Sequence, residues 1–182
     1  FWNITSETYV ENTNANSGCS SLYKFGPARI IDEQDLFTSN LKIQCLDIGN
    51  IKLYFLPEFI LMRSGNDFGA ISYSKINCVS FNVNFVENRT VPEDTEILGY
   101  NWKYQRKDGG PDNRFSFNTK IPRCAYSKFS LLTEDESIKI SLLCSNREKA
   151  DKCSNGIIKI QKVFRKLDES QEFDIGPYFD EE

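Results

Sequence analysis

Apolar and polar residues alternate with a period of two from Leu41 to Cys144, and this predicts a succession of short antiparallel strands. Leu41, Ile43 and Cys45 alternate with polar neighbours, Asp47-Ile48-Gly49-Asn50 supplies a turn, and Ile51, Leu53 and Phe55 resume the pattern, which makes a hairpin. Pro57 and Glu58 interrupt the next apolar run, so Phe59 to Met62 reads as a separate strand, and Arg63 to Asp67 turns into Phe68 to Tyr73. A longer strand follows, with Val79, Phe81, Val83 and Phe85 on its expected buried face and Cys78, Ser80, Asn82 and Asn84 on its solvated face. Tyr100, Trp102 and Tyr104 share one face of the next strand, which places these rings in the core and Lys103 and its polar neighbours outside. Phe129 and Leu131 mark another strand, and Ile138, Ile140, Leu142 and Cys144 form the last alternation.

Beyond Cys144 the period changes. Ser145 or Asn146 suits the N-cap of a helix, with Cys153, Ile157, Ile160, Phe164 and Leu167 as its apolar stripe and Gly156 as a weak point. Residues 1–24 are polar and read as an irregular arm, and acidic residues at 32, 33 and 35 suit a short helical turn over Ile31 to Phe37. The expected organisation is an N-terminal arm at 1–40, a β domain with its helix at 41–167 and an exposed acidic tail at 168–182. The fold class is mainly β: an antiparallel bent barrel or sandwich of about seven strands with one C-terminal α-helix.

At 182 residues one domain is the default, and no stretch is apolar enough to span a bilayer as a helix. The six cysteines are widely spaced, no CxxC pair occurs and histidine is absent, so a zinc site finds no support. Free, buried thiols of a cytoplasmic protein are expected, with the disulfide framework of a secreted protein as the alternative, and two glycosylation-type triplets at Asn3 and Asn88 do not displace that reading. No cofactor is expected.

Absence of histidine also removes the usual Ser-His and Cys-His arrangements. Asp112, Glu136 and Lys139 loosely resemble a metal-dependent nuclease set, but ExxK stands where ExK would put both side chains on one strand face. Charge distribution says more. Between Lys103 and Lys128 seven cations face two carboxylates, a local +5 that leaves −9 for the rest of a chain of net charge −4. The candidate ligand-binding residues are therefore Lys103, Arg106, Lys107, Arg114, Lys120 and Arg123, with Arg114 expected to pair with Asp108 or Asp112 and close the Gly-Gly-Pro loop.

Three blocks, LYFLPEFILM from Leu53, GAISYSKI from Gly69, and WKYQRKDGGPDNRF with IPRCAY from Trp102 to Tyr126, are similar to blocks of uncharacterised bacterial proteins that carry a GGPDRRF-type run. Over roughly 41 to 165 the chain resembles a pleckstrin-homology-like domain. Asn113 departs from the arginine of that run, and Ala125-Tyr126-Ser127 from its Tyr-Gly pairing. The family has no known activity, so the resemblance implies fold far more than function; the expected function, from the basic cluster, is a non-enzymatic interaction module within a larger bacterial protein, docking a protein segment or an anionic ligand. A metal-dependent nuclease-like or nucleic-acid-binding domain is the alternative; a membrane headgroup is a lesser candidate partner.

Overall fold

The computed structural model describes residues 1–9, 17, 21–32, 41–135 and 138–172. Among them eleven strands form two antiparallel sheets, followed by one helix: β1 (Trp2–Tyr9), β2 (Ser21–Gly26), β3 (Arg29–Ile31), β4 (Gln44–Asp47), β5 (Ile51–Phe55), β6 (Phe59–Ser64), β7 (Asp67–Ser72), β8 (Ile76–Val86), β9 (Ile97–Trp102), β10 (Lys120–Thr133), β11 (Lys139–Cys144) and α1 (Arg147–Glu172). The larger sheet runs β2-β1-β11-β10-β8, with β9 also on β10; the smaller runs β3-β4-β5-β6-β7. The mainly-β class with a C-terminal helix holds. It takes the sandwich form; no barrel closes among the described strands, and there are eleven of these rather than about seven.

Local chemistry fixes the meander of the smaller sheet. At the β4–β5 turn, Asp47 Oδ1 accepts the Gly49 N–H at 2.8 Å and Gly49 adopts φ +92°, a conformation that a side chain would strain. Arg29 of β3 closes on the other oxygen of Asp47 at 3.1 Å. Leu46, Leu53 and Ile60 of this sheet meet Phe129, Leu131, Ile140 and Leu142 of the larger sheet and Ile157 of α1 in the main core.

The N-terminal residues are not an irregular arm. Trp2 and Asn3 pair with Leu143 and Leu142, β2 pairs with β1, and β3 pairs with β4, so strands on both sides of residue 40 share the same sheets. Ile31 closes β3; residues 33–40, where the rest of the short helical turn was expected, lie outside the described residues, as do 173–182 of the acidic tail. Sheet pairing decides these segments. Their polar residues sit on strands whose other residues, Trp2, Ile4 and Phe25, cover an aromatic second core.

That second core reverses part of the expected β8 pattern. Cys78 is buried against α1, whereas Val79 is 37 % and Phe81 51 % exposed. Phe85, on the same face as Phe81, is covered: Tyr23 and Phe25 approach it at 6.1 and 6.0 Å between ring centres. The larger sheet curls so that β2, at one end of its order, comes over β8 at the other. Its two faces are therefore covered at different ends, which single-face alternation cannot express.

Helix α1 begins where expected. Asn146 caps it by accepting the Lys149 N–H at 2.9 Å, and the helix continues through Gly156. Its buried stripe differs from the expected one. Ala150, Ser154, Ile157 and Gln161 are buried, while Cys153, Ile160 and Leu167 are exposed. The stripe contains polar residues because β8 offers partners: Ser154 Oγ meets the Cys78 thiol at 3.5 Å, and Gln161 donates to the Ile76 carbonyl and to Asn77 Oδ1. No described helix is long and apolar enough to cross a membrane.

Candidate functional site

Strand β10 pairs with β8 along Arg123 to Thr133; on its other side it carries β9 over Lys120 to Cys124 and β11 over Ser127 to Leu132. The basic segment therefore spans the β9–β10 connection at one end of the larger sheet. Here the expected burial of the β9 rings fails. Tyr100 is 61 % exposed and Trp102 and Tyr104 are only partly covered, because β9 lies on the flank of β10 and no strand among the described residues packs over its rings.

The connection is folded tightly on itself. Arg106 N–H donates to Gly110 O and Gly109 N–H to Arg106 O, both at 2.9 Å, and Gly109 takes φ +80°. Asn118 acts as a two-ended clasp: its Oδ1 accepts from Tyr104 N at 3.0 Å and its Nδ2 donates to Tyr104 O at 2.7 Å. Tyr104 and Phe115 stack with centroids 3.9 Å apart.

Two of the six candidate cations serve this loop. Arg114 grips Asp112 through Nε at 2.9 Å and Nη2 at 2.6 Å, and Arg106 grips Asp108 through Nε at 3.2 Å and Nη2 at 2.9 Å. Arg114 thus pairs with Asp112 of its two expected partners. This pair, with the Arg114 N–H, holds the Asp112 carboxyl down at about 2. A lowered folded-state value means that the stabilisation is complete above the ordinary carboxyl value of 3.8 and is lost as pH falls toward 2. An NMR titration of the Asp112 side-chain carbon should find its midpoint near 2. A midpoint near 3.8 would mean that the clasp does not persist in solution. Of the nuclease-like set, Asp112 is committed to this ion pair and Glu136 lies outside the described residues.

Lys128, counted in the same cluster, pairs with Glu7 of β1. The remaining candidates, Lys103, Lys107, Lys120 and Arg123, are exposed and have no ion-pair partner among the described residues. The structure brings two of them together. Lys103 and Lys120 line one groove of about 650 Å³ with Arg89, Asn88 and Thr119, floored by Val86, Tyr104 and Pro122. Lys107, at the loop tip, and Arg123 do not line it.

Arg89 had no local signal in the sequence. It lies in the loop after β8, and only the pairing of Val86 with Arg123 carries it beside β10. Its guanidinium stands 5.3 Å from the Phe25 ring centre, while Lys120 and Lys103 stand 5.2 and 5.5 Å from Trp102 and Tyr104. Glu87, the acidic residue of the groove, is turned inward and 4 % exposed: it accepts the Tyr126 hydroxyl and the Arg89 N–H, each at 2.9 Å. Three cations on aromatic supports thus face one concave surface. Cys45, Cys78 and Cys124 are buried, as expected, whereas Cys144 is only half-buried and Cys153 is exposed.

Comparison of the chain with protein-family models, with curated proteins and with solved structures gives no match.

Proposed function

We propose that the protein is a non-enzymatic binding module whose groove between Arg89, Lys103 and Lys120 takes an acidic segment of a protein partner. The observation that carries this reading is the gathering of three cations, two from the β9–β10 region and one from the loop after β8, around one groove with no exposed carboxylate between them among the described residues. Like charges repel, so folding places them together at a cost that an anionic partner relieves, and a concave wall focuses their field. The clasped loop beside the groove adds Phe115, 43 % exposed, and Phe117, 91 % exposed, as apolar anchors on a rigid support. The resemblance to pleckstrin-homology-like domains agrees with such a role.

A fluorescein-labelled oligoglutamate peptide is the direct probe. Affinity should fall as salt rises, and Arg89→Glu/Lys103→Glu/Lys120→Glu should weaken binding by more than about tenfold. Lys107→Glu and Arg123→Glu, outside the groove, should change it by less than about threefold. Equal affinity of the triple variant and the parent at low salt would remove the groove from consideration. The exposed rings beside cations also favour a second reading, stacking of single-stranded nucleic acid. Oligothymidylate binding more tightly than the acidic peptide, with loss in Tyr100→Ala and Phe117→Ala, would decide for it.

A further inference from the structure

On the opposite side of the larger sheet from the aromatic core, where the two sheets and the start of α1 converge, lies a cavity of about 370 Å³. Its walls come from three layers: Leu46 and Phe55 from the smaller sheet, Phe129, Leu131 and Leu142 from the larger, and Ile157 from the helix. All but Phe55 are at most 7 % exposed, so this inner part of the lining belongs to the packed core, while Phe1 and Ile30, 37 % and 58 % exposed, flank its opening. The size falls within the range of small-molecule sites, at its lower end.

The mouth decides what fits. Its polar groups are Asp94, Ser145, Asn146 and Lys149. Each is already engaged within the group: Ser145 Oγ donates to Asp94 Oδ1 at 2.9 Å, Lys149 Nζ lies 3.4 Å from Asp94 Oδ2, and Asn146 donates to the Asp94 carbonyl at 3.1 Å. Asp94 and Lys149 offset each other there, and the ammonium of Phe1, which also lines the cavity, acts on Asp94 and Cys144. An ion entering deeper would have to shed its hydration against apolar walls. Two thiols also line it: burial pushes Cys144 up to about 11, and partial desolvation raises Cys153 at the exposed edge, so at neutral pH both present uncharged, polarizable surface.

We propose that this cavity is a second binding site, separate from the basic groove, for a small uncharged apolar molecule such as a medium-chain alcohol or a one- or two-ring aromatic. A cavity walled by Leu, Ile and Phe side chains accepts small apolar guests such as benzene, and the inner walls here are of that kind. The inference does not depend on the reading of the basic groove.

N-phenyl-1-naphthylamine, a neutral apolar dye, should bind with saturable fluorescence enhancement at one site per chain and be displaced by 1-decanol at least tenfold more effectively than by decanoate. Ala150→Leu fills the cavity from the helix side and should weaken the dye by at least tenfold. Should Ala150→Leu disturb folding, Cys153→Phe at the exposed mouth is the alternative filling, with circular dichroism as the folding control. N-ethylmaleimide supplies a second readout, since 1-decanol should slow modification of Cys153 in the parent. Absence of saturable dye binding, dye binding unchanged in a folded filled variant, or decanoate competing as well as decanol would each overturn the proposal.

Discussion

Tyr126→Ala should destabilise the protein by about 3–5 kcal/mol, as large-to-small changes at buried aromatic positions do. The ring is 0 % exposed at the centre of the second core, 5.2 Å from Phe85 and 5.7 Å from Trp2 between ring centres. Tyr126→Phe separates the ring from its hydroxyl. The phenyl keeps both stacks, but the Glu87 carboxylate loses the O–H donor at 2.9 Å and retains the Arg89 N–H. A buried acceptor deprived of its donor costs about 1–3 kcal/mol, so the phenylalanine variant should fall between parent and alanine variant in urea unfolding. Adding Glu87→Gln to Tyr126→Phe should recover part of that loss, because a neutral amide is cheaper to leave short of a donor than a carboxylate. A Phe variant as stable as the parent would show that the hydroxyl bond contributes nothing. The same bond turns Glu87 inward, so Tyr126→Phe should also weaken the acidic probe by freeing a carboxylate beside Arg89.

The second large effect tests which alternation is real. Ile60→Ala, on β6 of the smaller sheet, should cost about 2–5 kcal/mol: the side chain is 0 % exposed between Phe55 and Ile71 on the neighbouring strands and belongs to the main core. Phe81→Ala should cost less than about 1 kcal/mol, since Phe81 is 51 % exposed and chiefly its strand preference is lost. Alternation alone ranks Phe81 as a core position. A cost for Phe81→Ala comparable to that for Ile60→Ala would mean that the outer face of β8 is covered in solution.

Strands from Gln44 to Ser72 were legible because each is bounded by its own turn chemistry. The Asp47–Gly49 turn and the Pro57-Glu58 interruption are local signals, read by the residues beside them. The cap at Asn146 was legible for the same reason. The helix stripe was not. Its positions Ser154 and Gln161 look polar in sequence and are buried only because Cys78, Ile76 and Asn77 of β8 supply partners some 76 to 85 residues away. Burial of the β9 rings was misjudged for the converse reason: alternation says which residues share a face, not whether anything covers it.

The basic segment divides along the same line. Its charge excess over Lys103 to Lys128, and the pairing of Arg114 with an aspartate of its own loop, lie within a few residues, and the sequence alone determined them. Short-range chemistry of that kind needs no tertiary partner. Which cations remain unpaired, and which face one groove, depended on the arrival of β1 with Glu7 at Lys128 and of the post-β8 loop with Arg89 beside Lys103 and Lys120. Strand pairing and the curl of the larger sheet set those distances. Residues far apart in the chain become neighbours only through that closure, and so the tertiary structure alone decided where the charge can act.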